Sequence, residues 1–247
     1  MSEFPYENYA HYHPNTTDLL NFRGPEAGQH AGDWQAEHVV DGAPWRLSDH
    51  KGQWVVVETG CLTCPAYNAD IERMNALAAR HPDVAFCVLY VREAHPGAKL
   101  GAICSIEDKR TRGSQAAANP KENRTFLVDD VAGTLHRHLG AMPNSVHLIR
   151  PDGVVAWRSD WVNYALLAKL LAERTDDMTN FLEHHEKTDI FVNVKLAREV
   201  MLPTLKRAGK GAIWDIVKNL PAMIRDHLKA ARAFPKERRF SKKRAGL

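Results

Sequence analysis

One feature constrains the fold more than any other in this sequence. It is an apolar run that leads into a cysteine pair, which is in turn followed by a helical pattern. Residues 54–57 are Trp-Val-Val-Val, a composition typical of a buried strand. Pro65 stands where a helix can begin, because its fixed φ and missing N–H suit the first helical position. Apolar side chains then recur at helical spacing up to Leu77. A second apolar run, residues 84–91, completes a β-α-β unit, which predicts parallel strands with a right-handed crossover.

The segments on either side of this unit predict further elements of an α/β domain. Upstream, residues 39–47 have the pattern of a hairpin with an Asp41-Gly42 turn. Downstream, residues 92–122 are a long polar insert, for which no helix or strand is predicted. Next come a strand at residues 125–128 and a short helix over residues 131–139, which the preceding aspartates can cap.

The last part of this domain is predicted to be a second hairpin followed by a helix. The hairpin strands are residues 146–149 and 154–157, joined by a Pro151-Asp152-Gly153 turn. Four leucines at helical spacing follow, ending at Leu171. The whole order predicts a central mixed sheet flanked by helices.

Composition places the chain among globular proteins and argues against several other classes. Its 247 residues are 44% hydrophobic and 26% charged, the balance of a soluble fold. No run of about 18 apolar residues predicts a transmembrane helix. The polar and aromatic residues 1–15 lack the apolar segment of a secretory signal. Four cysteines, two of them in one CxxC, do not suggest a disulfide-stapled scaffold, so we expect a cytoplasmic location.

Charge divides the chain into a body and a basic extension. Residues 176–247 hold 16 Lys and Arg against 9 Asp and Glu, a net charge of +7, whereas residues 1–175 have a net charge of −4. We therefore predict an N-terminal arm over residues 1–36, a redox domain over residues 37–175 and a helical extension over residues 176–247.

The extension contains a basic amphipathic pattern between Ile213 and Ala231. Pro221 lies inside this pattern and is expected to kink the helix or split it in two. Such a segment can lie on an anionic membrane or bind an acidic partner. It can also pack on its own body or on a second subunit. No motif for nucleic-acid binding accompanies it.

The CxxC, Cys61-Leu62-Thr63-Cys64, is the strongest candidate for chemistry. A cysteine reacts as the thiolate, and a helix N-terminus favours that form through its unpaired N–H groups and partial positive charge. Cys64, directly before Pro65, is the predicted N-cap of the helix. The alternatives are two ordinary loop cysteines or half of a zinc site, although no second CxxC follows to complete four ligands. We expect no metal.

The succession of elements with a CxxC at the first strand-to-helix turn resembles the thioredoxin fold. Within it, Thr63-Cys64-Pro65 and Glu93-Ala94-His95 are similar to motifs of the iodothyronine deiodinases and their bacterial redoxin relatives. Residues 141–149 and 161–164 also match, so the resemblance covers about residues 37–175. Three features differ from that family: sulfur replaces selenium, no N-terminal anchor is seen, and Cys61 adds a second thiol.

The resemblance implies roles for individual residues. Cys64 takes the place of the reactive selenocysteine, which favours Cys64 as nucleophile and Cys61 as resolving thiol, although both sulfurs approach one helix end. His95 corresponds to the histidine near the reactive atom, and Glu93 is expected to be a hydrogen-bonding support rather than a catalyst. Thr63 belongs to the same motif. Pro143, after Met142, is expected to be a cis proline beside the cysteines, as in the thioredoxin fold.

Together these observations predict a deiodinase-like thiol-disulfide oxidoreductase that needs no bound cofactor. A thioredoxin-like protein or glutathione would act as electron donor, and a small disulfide, peroxide or halogenated molecule as substrate. The alternatives are a thiol peroxidase, a reductive dehalogenase of iodinated aromatics and a non-enzymatic redox-gated adaptor. Because every predicted catalytic residue lies at or before Pro143, removal of residues 205–247 is expected to preserve thiol chemistry.

Overall fold

The computed structural model describes residues 6–12, 24–159, 164–174, 202–209 and 211–233. In these residues seven strands form one sheet. The strands are β1 (Gln35–His38), β2 (Pro44–Arg46), β3 (Trp54–Gly60), β4 (Val84–Tyr90), β5 (Thr125–Val128), β6 (Val146–Ile149) and β7 (Val155–Ser159). Their spatial order is β2-β1-β5-β4-β3-β6-β7.

Six α-helices are present in the same described ranges. They are α1 (Pro65–Arg80), α2 (Ile106–Ala117), α3 (Thr134–His138), α4 (Tyr164–Glu173), α5 (Leu202–Ala208) and α6 (Ala212–Ala233). A short 3-10 helix, Leu47–His50, follows β2.

The predicted β-α-β unit is confirmed, and with it the α/β fold class. Strands β3 and β4 are parallel and in register from Trp54 opposite Val84, and β5 continues the parallel set. Strands β6 and β7 are antiparallel, as is the β1–β2 hairpin with its Asp41-Gly42 turn. This is a thioredoxin-like arrangement: a mixed sheet with helices packed on it.

Apolar residues of both sheet faces are covered, which explains the unbroken apolar runs in β3 and β4. One face packs on α1 and α4 through a cluster that includes Val56, Met74 and Leu167. The other packs on α3 and the N-terminal hairpin through a cluster that includes Val57, Trp45 and Leu135. The sheet thus holds the carboxyl end of β3, where the CxxC begins, between two apolar layers.

The polar insert contains helix α2, which was not predicted. Ser105 caps this helix by accepting a hydrogen bond from the Asp108 amide at 3.1 Å. Its buried side includes Lys109, whose ammonium pairs with Asp129. Helix α2 therefore buries polar side chains that have hydrogen-bond or ion-pair partners. Because its buried side is not apolar, the helix could not be predicted from an apolar periodicity. Helix α3 is shorter than predicted, since it starts only after Gly133.

The prediction of a cis bond at Met142-Pro143 is wrong, because no cis peptide occurs in the described residues. The chain instead reverses through two left-handed residues, Gly140 with φ 97° and Ala141 with φ 56°. The Met142 carbonyl accepts hydrogen bonds from Thr59 Oγ1 at 3.1 Å and from a ring nitrogen of His136 at 2.8 Å. These hydrogen bonds stabilise the turn, in which the Met142-Pro143 peptide bond is trans.

The basic extension contains α5 and α6, while the boundary predicted at residues 175–176 lies outside the described residues. Helix α6 runs through Pro221 as one helix of 22 residues, so the predicted split is wrong. Three buried residues, Thr204, Leu205 and Ala208, anchor α5. Within the described ranges, no helix combines the length and apolar character that crossing a bilayer requires.

Candidate functional site

The two cysteines lie at the junction of β3 and α1, as the sequence predicts. Cys64 is the N-cap residue of α1, and Pro65 is the first residue of the helix. The Cys64 amide donates a hydrogen bond to the Cys61 carbonyl at 3.2 Å, which closes the turn between them. Both are free thiols, with exposed fractions of 0% for Cys61 and 1% for Cys64. Both sulfurs are therefore covered by the fold.

Burial sets the acidity of both thiols. It raises the pKa of the Cys64 thiol to about 12, although the backbone amides of Tyr67 and Ala66 act in the opposite direction. It raises the pKa of Cys61 well above its ordinary value, and the nearby charge of Glu93 adds to this rise. In the covered state, neither sulfur is an activated thiolate.

Glu93 links the CxxC turn to the loop after β4. Its carboxylate accepts hydrogen bonds from the Thr63 amide at 3.1 Å and from the Thr63 hydroxyl at 2.6 Å. The Tyr90 hydroxyl donates to the same carboxylate. The Ala94 amide donates to the Cys61 sulfur at 3.2 Å. The structure thus brings Glu93, Thr63 and Cys61 together. Glu93 supports the CxxC turn through its hydrogen bonds to Thr63.

His95 joins this loop through its backbone, since its amide donates to Thr63 Oγ1 at 3.1 Å. Its ring packs against the ring of Tyr12 with centroids 4.6 Å apart, and Nδ1 is buried without a hydrogen-bond partner. Burial lowers the pKa of His95 to about 4. The ring is therefore neutral near pH 7, so it can accept a proton but brings no positive charge to the thiols.

Pro143 belongs to a turn that is fastened to the end of β3. The Asn144 side chain donates to the Thr59 carbonyl at 2.9 Å and to Glu58 at 2.9 Å. The Ser145 amide donates to Thr59 Oγ1 at 2.7 Å. Residues 142–145 therefore lie against the two residues that precede the Gly60-Cys61 step.

A buried ion-pair network beside the cysteines was missed by sequence reasoning. Arg124 pairs with Glu58 and with Glu122, and all three side chains are 1% exposed. The Tyr67 hydroxyl donates to Glu122 at 2.7 Å. Burial raises the pKa of Glu58, against the opposing charge of Arg124. A carboxylate inside the apolar run of β3 was the one sequence signal of this network, but its partner Arg124 is 66 residues away.

Asn68 also escaped sequence reasoning, although it holds the CxxC turn. Its side-chain amide donates to the carbonyls of Cys64 at 2.7 Å, Leu62 at 3.2 Å and Cys61 at 3.4 Å. Its carbonyl oxygen accepts from Arg207 of α5 at 2.8 Å. The basic extension therefore contacts the residue that fastens the cysteine turn.

A second contact of the extension lies on the loop after His95. The Lys99 amide donates to the Ala208 carbonyl at 2.9 Å, and a side chain at Gly97 would meet that carbonyl at 2.7 Å. The same requirement for a small residue applies to Gly60, because a Cβ there would lie 2.4 Å from the Tyr67 ring. The cysteine turn is closely packed on both sides.

The other cysteines lie apart from this cluster. Cys87 is in the β4 core, where burial raises the pKa of its thiol to about 12. Cys104 is exposed in the insert before α2. The described part of the chain holds no group of three or more His, Cys, Asp or Glu side chains arranged to bind a metal. The arrangement can therefore support dithiol chemistry at Cys61 and Cys64 once the pair is uncovered.

No protein-family model matches the chain, and no curated protein sequence matches it. Among solved structures, similarity extends to a secreted Mycobacterium tuberculosis disulfide oxidoreductase homologous to E. coli DsbE. The identity is 19%, the TM-score 0.42, and the match covers 57% of this chain and 95% of that one.

Two further solved structures are similar to the same extent. A putative thiol:disulfide interchange protein DsbE from Chlorobium tepidum has 18% identity and a TM-score of 0.46, over 61% of this chain and 98% of its own. The exposed lipoprotein thioredoxin Etrx1 from Streptococcus pneumoniae has 22% identity and a TM-score of 0.44, over 58% and 100%. Because each TM-score is below 0.5, we take no functional assignment from these structures.

Proposed function

We propose that this protein is a thiol-disulfide oxidoreductase whose redox pair is Cys61 and Cys64. One observation carries the proposal: two free thiols lie one turn apart at the junction of β3 and α1. A buried, close-packed setting keeps other nucleophiles and water away from such a pair. The same setting makes opening of the site a requirement for turnover.

The reaction follows the usual course of thiol-disulfide exchange. One protein thiolate attacks a disulfide R–S–S–R, forms a mixed disulfide, and expels RS⁻, which takes up a proton. The second protein thiol loses its proton and attacks the mixed disulfide, which expels the second RS⁻. Two electrons and two protons pass from the protein to the substrate, and the Cys61–Cys64 disulfide forms. A thioredoxin-like protein or glutathione reverses this oxidation.

We assign the first attack to Cys64. Its position at the helix N-cap and the opposing effect of the Tyr67 and Ala66 amides on its pKa support this assignment. At Cys61 the Glu93 carboxylate is the largest influence on the pKa after burial and disfavours a thiolate, whereas at Cys64 the two helix amides act more strongly than Glu58 and Glu93. The resolving role suits Cys61, because its attack follows after the first sulfur has been modified.

The deiodinase-like type is a finer part of the proposal. Its support is that the two motifs of the resemblance are in contact, since the Ala94 and His95 amides donate to Cys61 and Thr63. With an iodinated phenol, a thiolate would take the iodine and a proton would replace it on carbon. The second thiol would then expel iodide and form the disulfide, which balances the two electrons.

The decisive experiment measures thiol stoichiometry with 5,5′-dithiobis(2-nitrobenzoate) in a Cys104→Ser background, which removes the exposed thiol. The intact pair should release two thionitrobenzoate ions and retain none, because the disulfide forms. Cys61→Ser should release one and retain one on Cys64. Cys64→Ser should react far more slowly.

Three outcomes would contradict parts of the proposal. If the Cys61→Ser and Cys64→Ser proteins still reduce insulin disulfides at the rate of the intact protein, the pair is not the redox centre. A trapped adduct on Cys61 at undiminished rate in Cys64→Ser would reverse the assigned roles. A reduced protein that releases no iodide from diiodophenol, while reducing disulfides, would remove only the deiodinase-like part.

A further inference from the structure

Helix α6 has an apolar face that the described residues leave partly exposed. Large apolar side chains at positions i, i+4, i+7 and i+11 lie on one side of the helix, namely Ile213, Val217, Leu220 and Ile224. Val217 has an exposed fraction of 52%. The largest apolar patch on a soluble protein is often a functional surface. We call these four residues the α6 apolar face.

The opposite side of the same helix is bound to the body of the protein. Ala212 is fully buried, and the Asn219 side chain donates to the Tyr12 carbonyl at 3.3 Å. His11 lies 3.5 Å from the Asp215 carboxylate. These contacts fix the rotation of α6 about its axis. The α6 apolar face is therefore directed away from the body of the protein.

A second stripe, with Trp214 at one end followed by two basic residues, lies about 100° around the helix from the α6 apolar face, and we call it the basic border. Trp214, Lys218 and Arg225 follow each other at i, i+4 and i+11, one position around the helix from the apolar row. All three are exposed, Trp214 by 65%. A tryptophan at the border of an apolar and a basic surface is the arrangement that suits the headgroup region of a bilayer.

We infer that the α6 apolar face and its basic border bind the surface of an anionic membrane. The helix would lie in the plane of the interface, with the apolar face in the acyl boundary and the basic border at the lipid headgroups. The sequence after Arg225 strengthens the charge complementarity, because residues 226–247 contain eight Lys and Arg against two acidic residues. This inference does not depend on the thiol chemistry.

A second copy of the chain fits this face less well. The row from Ile213 to Ile224 spans about 17 Å, so it offers a few hundred Å² of surface, whereas a stable dimer buries roughly 800 Å² per partner. A two-fold contact would also bring two basic borders together. Anionic lipid supplies the opposite charge without a shape requirement.

Vesicle sedimentation with the full-length protein tests the inference. Vesicles of phosphatidylcholine with equimolar phosphatidylglycerol should bind the protein at least about tenfold more tightly than pure phosphatidylcholine vesicles. Binding should weaken as NaCl rises from about 0.05 M to about 0.5 M. Trp214→Phe should remove most of the shift in tryptophan emission that accompanies binding.

Substitutions separate the apolar and basic contributions. Val217→Glu should weaken binding by about tenfold or more, and Lys218→Glu by about fivefold. Val40→Glu is the matched control, because Val40 is 83% exposed on the body and should leave binding unchanged. Circular dichroism verifies that each variant is folded.

Each remaining outcome overturns the inference. Equal binding to both vesicle types, no binding to either, or no effect of Val217→Glu in a folded protein would each do so. If light scattering shows a dimer that Val217→Glu converts to a monomer, the face binds a second copy instead.

Discussion

Two buried carboxylates, Glu58 and Glu93, adjoin the same cysteine pair, but the protein satisfies them differently. Glu58 forms an ion pair with buried Arg124 and accepts a hydrogen bond from Asn144 at 2.9 Å. Glu93 accepts hydrogen bonds from Thr63 and Tyr90, and no Lys or Arg of the described residues lies within ion-pair distance of it.

The difference indicates separate roles for the two carboxylates. A charge that is paired inside the fold contributes chiefly to folding, because removal of either partner leaves the other one buried and unpaired. A carboxylate that is satisfied by neutral donors keeps a field that no cation offsets: Glu93 adds to the rise in the pKa of Cys61, whereas the field of Glu58, which adds to the rise in the pKa of Cys64, is opposed by the charge of Arg124. We therefore expect Glu58 and its ion pair to contribute mainly to the stability of the fold. Glu93 should affect mainly the reactivity of the thiols.

The largest expected effect is on stability. Arg124→Ala leaves Glu58 and Glu122 buried without a cation, so the free energy of unfolding should fall by about 3–5 kcal/mol. Urea denaturation measures this change. Arg150→Ala is the matched control, because Arg150 pairs with the half-exposed Asp152 and should cost less than about 1 kcal/mol. Equal losses in the two variants would break the comparison.

The next largest effect is expected on the rate at which Cys64 is alkylated, and on how that rate changes with pH. Because burial raises the pKa of this thiol to about 12, its alkylation by iodoacetamide should accelerate about tenfold per pH unit from pH 7 to about 10. Mass spectrometry of the Cys61→Ser, Cys104→Ser protein follows the rate. The alkylation rate of free cysteine should level off above about pH 9. A plateau near pH 7 for Cys64 would mean that the site is open in solution.

A smaller effect is expected from Glu93→Gln. Removal of this charge lowers the pKa of Cys61, so its alkylation in a Cys64→Ser, Cys104→Ser background should be faster by up to about tenfold. Unfolding should become easier by only about 1 kcal/mol, since a glutamine can still accept from Thr63. Glu72→Gln, an exposed position on α1, serves as control. If Glu93→Gln destabilises as much as Arg124→Ala, the proposed separation of roles is wrong.

The smallest effect concerns the cover on the pair. Arg207→Ala removes the contact between α5 and Asn68, which holds the CxxC carbonyls. The cysteine turn should loosen, and its reaction with dithiobis(nitrobenzoate) should become about two- to threefold faster in a Cys104→Ser background. Lys206→Ala, at an exposed neighbouring position, should have no effect. An unchanged rate in Arg207→Ala would agree with the sequence expectation that the extension is dispensable for thiol chemistry.

The site illustrates where sequence reasoning succeeds. Cys64 and Pro65 were predicted as N-cap and first helical residue from local rules alone, and they occupy those positions. The hydrogen bonds from the Thr63 amide to Glu93 and from the Ala94 amide to Cys61 join segments about 30 residues apart, and periodicity did not predict them. The roles of these residues, the electron donor and the cytoplasmic location stay predictions.

The sequence by itself determined the β-α-β core, because apolar runs and helical spacing report burial over a few adjacent residues. Only the tertiary structure decided which distant charges meet. Arg124 reaches Glu58 across 66 positions, and Arg207 reaches Asn68 across 139. The same holds for the trans bond at Pro143, where Gly140 and Ala141 turn the chain. Local patterns carry no record of such pairings, since even Glu58, which stands out inside an apolar strand, gives no indication of its distant partner. That is why the thiols were predicted correctly in place, while their burial and the contacts that cover them were not.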